Sequence, residues 1–359
     1  MKAKSKDIIL LLGAGASVEA GIPSSPKMIE EIERLLRQRD WEKFRDLYHQ
    51  IKSAIHYAAG IKGKFGSEVQ YNIETLVNTL YELERNEDHP IYPFVAAWNS
   101  RLLACAGNNF EHLRSFREKI LEALKNWVQL ENPKTADYYS GLKPLQRALQ
   151  FPLKVFSLNY DLCVEGLGEP GFRVETGFSA VGNSPWEWKR FDETSPQAEY
   201  PEIYLYKMHG SINWKRDEDG NLICVSHSGN IRPEQMQVIF GRDFKLEAAD
   251  PYLFYAFEFR RCSLDARLIL VVGYGFGDEH INKMLIQAVR SDPSKRLLVI
   301  GNIADEPGAK KRRTEISTRL GVAPEAITVL PGTAKGFLGR PDIAEAVMNA
   351  MPADNKAEF

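Results

Sequence analysis

The sequence predicts an α/β fold: a doubly wound, mainly parallel, six-stranded Rossmann-like sheet with a large helical insertion. Three observations support this prediction. Six short apolar runs have the continuous Val, Ile and Leu content of strands that are covered on both faces. Helical patterns separate several of these runs, as a doubly wound sheet requires. The first two runs are far apart, and the sequence between them has helical spacing and little strand character.

The predicted strands are short, and most of them end in Gly, Asn or His. They span residues 7–12, 153–158, 203–208, 268–272, 297–300 and 327–330. Helices are predicted at 278–289 and 342–348, where apolar side chains recur on one face. Residues 165–202 are rich in Gly, Pro, Ser and Trp and are predicted to be irregular. Residues 212–241 have the pattern of short strands with a turn at 217–221.

The chain divides into two predicted domains. Residues 1–24 and 151–350 would form the Rossmann-like sheet domain, and residues 25–150 a helical insertion packed on it. Two stretches of the insertion have clear helical spacing, through Ile73, Leu76, Val77, Leu80 and Leu83, and through Leu113, Phe116, Ile120, Leu124, Trp127 and Val128. Residues 351–359 are predicted to be a flexible tail.

Composition and charge exclude several classes of protein. The net charge of −2 over 359 residues does not indicate direct binding to nucleic acid or to a membrane surface. The four cysteines include no C-x-x-C pair, so we expect no zinc or other metal site and expect buried thiols in a reducing cytoplasm. No apolar run reaches the ~18 residues of a membrane span, so we expect neither a membrane segment nor a signal peptide.

The first predicted strand runs into a loop of small residues, Gly13-Ala14-Gly15-Ala16-Ser17. Backbone N–H groups in such a loop can face an anion, and a helix beginning near Ser17 or shortly beyond would add its positive end. Gly13 and Gly15 carry no Cβ, so the backbone can approach a pyrophosphate closely. The third glycine of the usual dinucleotide fingerprint would fall at Val18. The loop therefore predicts a nucleotide site of another kind, although a βα turn without a ligand would also explain two glycines.

Polar residues and glycines also follow the other predicted strands. They are Asn159 and Asp161 after the second strand, His209 after the third, Gly273, Gly275 and Asp278 after the fourth, and Asn302 after the fifth. Ligands of doubly wound sheets lie beyond the carboxyl ends of the strands, so these residues predict one site. Structural roles stay open at this point. His209 can be a hydrogen-bonded core histidine, and the Asn and Asp residues can cap helices.

Together these segments resemble the sirtuin catalytic domain. The matching segments, in order, are 13–17, 20–23, 157–161, 209–210, 240–241, 273–276 and 301–302. The sequence departs from sirtuin deacylases in three places: it has no four-cysteine zinc module after His209, Ser24–Lys27 replaces an Asp-Phe-Arg segment, and Arg242 replaces a Glu. The acyl-lysine groove of the family is built largely around these parts. The resemblance is therefore to the bacterial sirtuin-like NADases of anti-phage defence.

The resemblance implies NAD as the substrate and gives each candidate residue a role. Gly13, Ala14, Gly15 and Ser17 would bind the pyrophosphate, and Gly273, Gly275 and Asn302 would contact the adenosine half. Asn159 would hold a ribose hydroxyl or the attacking water, and Asp161 would orient that polar network. His209 would be the general base, because an imidazole accepts a proton near neutral pH.

The resemblance also implies regulation, because unrestrained NAD hydrolysis would kill the cell. The expected partners are a second copy of the chain, as a homo-oligomer, or a HerA-type translocase or a short Argonaute. Two other activities remain open at this stage. One is NAD-dependent protein deacylation or ADP-ribosyl transfer, and the other is a non-catalytic module that senses NAD or ADP-ribose.

Overall fold

Seven parallel strands form the central sheet of the computed structural model, which describes residues 6–69, 71–84, 100–107, 110–179, 184–192, 200–226, 229, 231–232, 235–238 and 250–352. The strands are β1 (Ile8–Leu12), β2 (Leu153–Ser157), β3 (Val174–Glu175), β4 (Ile203–Lys207), β5 (Trp214–Arg216), β6 (Leu222–Cys224), β7 (Leu268–Val272), β8 (Arg296–Ile300) and β9 (Ile327–Leu330). The order in the sheet is β3-β4-β2-β1-β7-β8-β9, and β5 and β6 form a separate antiparallel hairpin.

The predicted fold class is confirmed, and the predicted number of strands is wrong. All six predicted strands lie in the sheet, with bounds within one residue of the prediction. The seventh strand, β3, pairs with β4 at the edge of the sheet, inside the stretch predicted to be irregular. A strand of two residues has no measurable period, so the sequence pattern could not reveal it.

The two helical stretches predicted in the insertion are confirmed, and the structure adds several helices that were not predicted individually. The described helices are α1 (Ser25–Leu35), α2 (Arg45–Ile61), α3 (Ile73–Glu84), α4 (Ser100–Ala106), α5 (Glu111–Val128), α6 (Leu142–Leu149), α7 (Tyr252–Asp265), α8 (Glu279–Ser291), α9 (Glu306–Leu320), α10 (Ala334–Leu338) and α11 (Ile343–Asn349). Helices α8 and α11 correspond to the helices predicted at 278–289 and 342–348. Among the described residues, no helix has the length and apolar content to cross a membrane.

The two faces of the sheet pack against different layers. Residues such as Leu10 and Val155 face a core that includes Leu76 and Phe116 of the insertion. The alternate residues, such as Ile9, face a second core with α7 and α8. Strands covered on both faces are consistent with the continuous apolar runs seen in the sequence. The domain bounds at residues 24 and 150 stay predictions, as does the flexible tail, which lies outside the described residues from 353 onward.

The central strands end in register, and this alignment positions the candidate site. Leu12 of β1 is paired with Ser157 of β2 on one side and with Val272 of β7 on the other. Ser157 is in turn paired with Lys207, the last residue of β4. The chain therefore leaves the sheet at the same level in four neighbouring strands. Because all four are parallel, the residues that follow them meet at one edge.

Candidate active site

Ser17 lies at the centre of a buried hydrogen-bond network that joins the ends of β1 and β2. Its hydroxyl donates to Asp161 Oδ2 at 2.7 Å and accepts from Asn159 Nδ2 at 3.1 Å. Tyr139 OH lies 2.9 Å from the same oxygen and completes its hydrogen-bonding capacity. Ser17 is fully buried, so its side chain serves these neighbours and does not face solvent.

The glycines of the first loop pack against the loop that follows β7. A Cβ on Gly13 would lie 2.6 Å from Tyr274 Cα, and one on Gly15 would lie 2.8 Å from the Gly273 carbonyl oxygen. Gly273 has φ of +68°, and a Cβ there would lie 1.9 Å from Ala16 N. The close approach that these glycines permit is therefore between two protein loops, whatever ligand also binds.

The amide groups of the first loop are largely used within the protein. Hydrogen bonds run from Gly13 N to Val272 O, from Gly15 N to Gly273 O, from Ala16 N to Gly13 O and from Ser17 N to Ala14 O. The expected helix near Ser17 is replaced by two single 3₁₀ turns, Ala14–Ala16 and Val18–Ala20, and α1 begins only at Ser25. The tight turns of this small-residue loop satisfy these N–H donors locally. Because α1 begins only at Ser25, the positive end of a long helix does not point into the loop.

Asn159 and Asp161 are held differently at the end of β2. Asp161 uses both oxygens, since Oδ1 accepts from Cys163 N at 3.0 Å and Oδ2 accepts from Ser17. Asn159 is buried, and its Oδ1 accepts no hydrogen bond from the part of the chain that the structure describes. No described α-helix begins at this segment, but Asp161 Oδ1 accepts from the backbone N–H two residues later, as the side chain of a capping residue does. A buried amide oxygen of this kind is an acceptor available to a ligand.

His209 lies at the end of β4 between two carboxylates. It is 3% exposed, and its Nε2 lies 3.1 Å from Asp278 Oδ2. Its Nδ1 lies 3.6 Å from Glu74 Oε1, on α3 of the insertion. Asp278 also caps α8, because its Oδ1 accepts from His280 N and Ile281 N. The capping interpretation of Asp278 is therefore confirmed, and its second oxygen serves His209 as well.

Two buried tyrosines near His209 are kept neutral. Burial raises the pKa of Tyr160 well above its usual value, and the carboxylates of Glu74 and Asp278 act in the same direction. Burial and Asp278 raise the pKa of Tyr274 in the same way. Tyr274 OH lies within hydrogen-bond distance of Asp278 O and Asn282 Oδ1. The carboxylates thus give the surroundings of His209 a negative electrostatic potential.

Two cavities meet at Glu74. One has a volume of about 30 Å³ and is lined by Ala14, Glu74, Asn159 and Asp161 together with apolar residues such as Met28. The other has a volume of about 330 Å³ and lies between α2, α3 and the start of α8, where Asp278 lines it. Ligand pockets are typically about 300–1,000 Å³, so the cavity beside Asn159 is nearly closed in this conformation.

The structure brings together most of the residues predicted for the site. Gly13, Ala14, Gly15, Ser17, Asn159, Asp161, His209 and Gly273 lie at the carboxyl ends of β1, β2, β4 and β7. Gly275 is exposed, and its carbonyl accepts from Arg312 at 3.4 Å. Asn302 is exposed beyond β8, and within the described residues no hydrogen bond connects it to the others. The predicted segment 240–241 and Arg242 lie outside the described residues.

Metal ligands were not expected, and that expectation stays a prediction. Within the described ranges, no group of three or more His, Cys, Asp or Glu side chains is arranged to hold a metal ion. The four cysteines are free thiols, of which Cys163 and Cys262 are buried. Burial raises the pKa of Cys163, which lies beside Asp161, so this thiol is protonated and unreactive near neutral pH.

Sequence reasoning missed three residues that support the site: Glu74, Tyr139 and Lys207. Lys207 is 1% exposed, donates to the Asp161 carbonyl oxygen and lies 3.2 Å from Glu165 Oε1. A lysine at the end of an apolar strand was the signal for it. Glu74 and Tyr139 come from the insertion, far from the strand ends in sequence, and no local pattern marks either residue.

Comparison with known proteins gives a partial match. Residues 153–319, a little under half of the chain, match the family model of the SIR2-like domain. No curated protein matches. A solved Sir2 homologue–NAD complex aligns with 14% identity and a TM-score of 0.43, covering 97% of this chain and 91% of that chain. An ADP-ribose complex of a mutant Sir2 homologue aligns with 15% identity and a TM-score of 0.44, covering 97% and 94%.

Proposed function

We propose that this chain binds NAD at the carboxyl edge of the sheet and hydrolyses its nicotinamide–ribose bond, which yields nicotinamide and ADP-ribose. The observation that carries the proposal is the placement of Asn159 and His209 after adjacent strands that end in register. The buried Oδ1 of Asn159 is an acceptor that a ribose hydroxyl would satisfy. The match of residues 153–319 to the SIR2-like domain supports NAD as the ligand.

The proposed reaction needs one base and no strong acid. The electron pair of the broken bond leaves with nicotinamide, which becomes neutral, and the ribose carbon passes through an oxocarbenium-like state. A water oxygen forms the new bond to that carbon and gives up a proton. His209, oriented by Asp278, accepts this proton as general base. Asn159 accepts from a ribose hydroxyl, while Ser17 and Asp161 hold Asn159 and its segment in place.

We further propose that activity is gated and that NAD depletion serves anti-phage defence. The cavity beside Asn159 holds only about 30 Å³, so it must widen before NAD can bind there. A HerA-type translocase, a short Argonaute or self-association would supply the trigger. Mass photometry of the pure chain, alone and with each candidate partner, measures association. A chain that stays monomeric with every partner and is fully active alone contradicts this gating.

The first prediction concerns His209→Ala. Removing the base should lower NAD cleavage by at least ~10²-fold, measured as nicotinamide release by liquid chromatography. His49→Ala is the matched control, because His49 is exposed on α2, and it should keep the wild-type rate. Folding of both variants is checked by thermal melting. A folded His209→Ala protein with near-normal turnover rules out this role for His209.

The same assay separates the competing activities. Nicotinamide release from NAD alone supports hydrolysis. Release that depends on an acylated peptide indicates deacylation or ADP-ribosyl transfer, and binding of NAD without release, with or without partner, indicates a sensor. Isotope-labelled water distinguishes hydrolysis from transfer, because the label enters ADP-ribose only when water is the acceptor.

A further inference from the structure

We infer that Glu74 is a further catalytic carboxylate, supplied to the site by the helical insertion; this inference rests on the proposed NAD hydrolysis. Glu74 is separated from Asn159 by most of the insertion and the whole of β2, yet both line the same cavity. Its Oε1 also lies 3.6 Å from His209 Nδ1. One side chain therefore faces both the proposed ribose position and the proposed base.

The start of α3 fixes the position of Glu74. Asn72 Oδ1 accepts hydrogen bonds from Thr75 N at 2.9 Å and from the Thr75 hydroxyl at 3.1 Å, which caps the first turn. Ile73 is 1% exposed and anchors the same turn in the core. The Glu74 side chain itself is 26% exposed. A rigid helix end thus presents a carboxylate that a ligand can still reach.

Two carboxylates then flank the imidazole of His209. Asp278 Oδ2 at 3.1 Å accepts from Nε2–H, so Nδ1 is the nitrogen that takes a proton. That nitrogen lies 3.6 Å from Glu74 Oε1. When Nδ1 takes the proton of the attacking water, the resulting imidazolium lies between two negative charges. Such a charge pairing stabilises the protonated base in the transition state.

Glu74 has a second effect, which acts on the ribose and not on His209. The cavity that it shares with Asn159 is where the positive charge of the oxocarbenium-like centre would develop. A carboxylate fixed beside a developing positive charge lowers the barrier, as the second carboxylate of glycoside hydrolases does. The bond to nicotinamide breaks with its electron pair, the water oxygen bonds to the ribose carbon, and the water proton passes to His209. Glu74 stays ionised throughout.

The test compares Glu74→Gln, Glu74→Asp and the control Glu68→Gln. Glu68 lines the larger cavity with Glu74, but its carboxylate accepts from Phe65 N at 3.4 Å and belongs to its own turn. Removal of one preorganised group that stabilises the charge of the transition state, such as an oxyanion-hole donor, typically costs about 10²–10³ in kcat. We expect that loss for Glu74→Gln with KM changed by less than about threefold, partial activity for Glu74→Asp and wild-type kcat for Glu68→Gln.

Each outcome decides the inference. A folded Glu74→Gln protein with wild-type or increased kcat overturns it, and an increase identifies Glu74 as a block to NAD entry instead. A change in KM alone also overturns it, because the role would then be in binding. If the wild-type chain releases no nicotinamide, with or without a partner, the proposed function fails and this inference fails with it. Melting temperatures of all variants separate these effects from unfolding.

Discussion

Ser17 places one buried hydroxyl at the centre of the hydrogen-bond network of the candidate site. It donates to Asp161 and accepts from Asn159, with Tyr139 OH at 2.9 Å. Burial and the charge of Asp161 raise the pKa of Tyr139 well above its usual value, so its phenol stays neutral. The sequence indicated Ser17 as a pyrophosphate ligand. The position of its side chain instead favours a role in holding the two polar residues that follow β2.

We predict that Ser17→Ala both destabilises the protein and lowers its rate of NAD cleavage. The substitution leaves the buried Asp161 carboxylate short of a donor, which typically costs about 1–3 kcal/mol. Urea unfolding measures the change in free energy. Tyr139→Phe is the matched control, because it removes one bond of the network and leaves Asp161 bonded to Ser17, so its cost should be smaller. Equal stability of Ser17→Ala and the wild type would contradict the network.

The sequence predicted the strand ends well and the supporting residues poorly. Asn159, Asp161 and His209 were predictable because short apolar runs end just before them, and parallel strands bring such positions together. Glu74 and Tyr139 were not predictable, because long-range packing of the insertion brings them to the site. The structure also gives the loop glycines a reason that differs from the close approach to a pyrophosphate predicted from the sequence. Their lack of a Cβ is required by the contact between the two loops at Gly13 and Gly273.

Helices α3 and α5 form the part of the insertion that carries Glu74. They pack through apolar residues of the shared core, and an ion-pair cluster joins their ends. Arg117 Nε lies 2.6 Å from Glu84 Oε2, and Arg114 Nε lies 3.0 Å from Glu84 Oε1. Burial alone would raise the pKa of Glu84, but the hydrogen bonds and the positive charges of the two arginines together outweigh it and lower this pKa.

We predict that Glu84→Gln destabilises the protein at neutral pH and not in acid. A lowered carboxyl pKa contributes stability above the unfolded value near 4.5, and that stability is lost as the pH falls through the folded value. The free energy of unfolding should therefore drop by about 1–3 kcal/mol at pH 7 and by much less near pH 3. Urea unfolding of the wild type and of Glu84→Gln between pH 3 and pH 7 measures this difference in the free energy of unfolding. A difference that is independent of pH would show that charge is not the cause.

On the scale of the whole molecule, the insertion and the sheet share one hydrophobic core. Buried residues of α1, α3 and α5 lie in the same cluster as Leu10 of β1 and Val155 of β2. Phe337 of α10 and Val347 of α11, which lie outside the insertion, belong to the same core, so elements of both predicted domains contribute to it. The two predicted domains are therefore expected to fold as one cooperative unit, with the site at the boundary between them.

We predict that the chain without residues 25–150 does not fold. Replacing the insertion with a short Gly/Ser linker exposes the apolar face that contains Leu10 and Val155. Large exposed apolar patches promote aggregation. Size-exclusion chromatography and thermal melting measure the result. Inserting the same linker at Gly220, an exposed turn with no neighbour near its Cβ position, is the control and should be tolerated. A soluble, cooperatively melting deletion variant would show two independent domains.

The central place of β1 has a consequence for synthesis on the ribosome. β1 is made before both of its neighbours in the sheet, β2 and β7, whose pairing residues begin at 154 and 268. One edge of β1 thus stays unpaired until residue 268 has been translated. Contacts of such long sequence separation form slowly. The sheet edge that carries the candidate site is therefore assembled late. A nascent chain would therefore lack the complete proposed site until β7 has been translated.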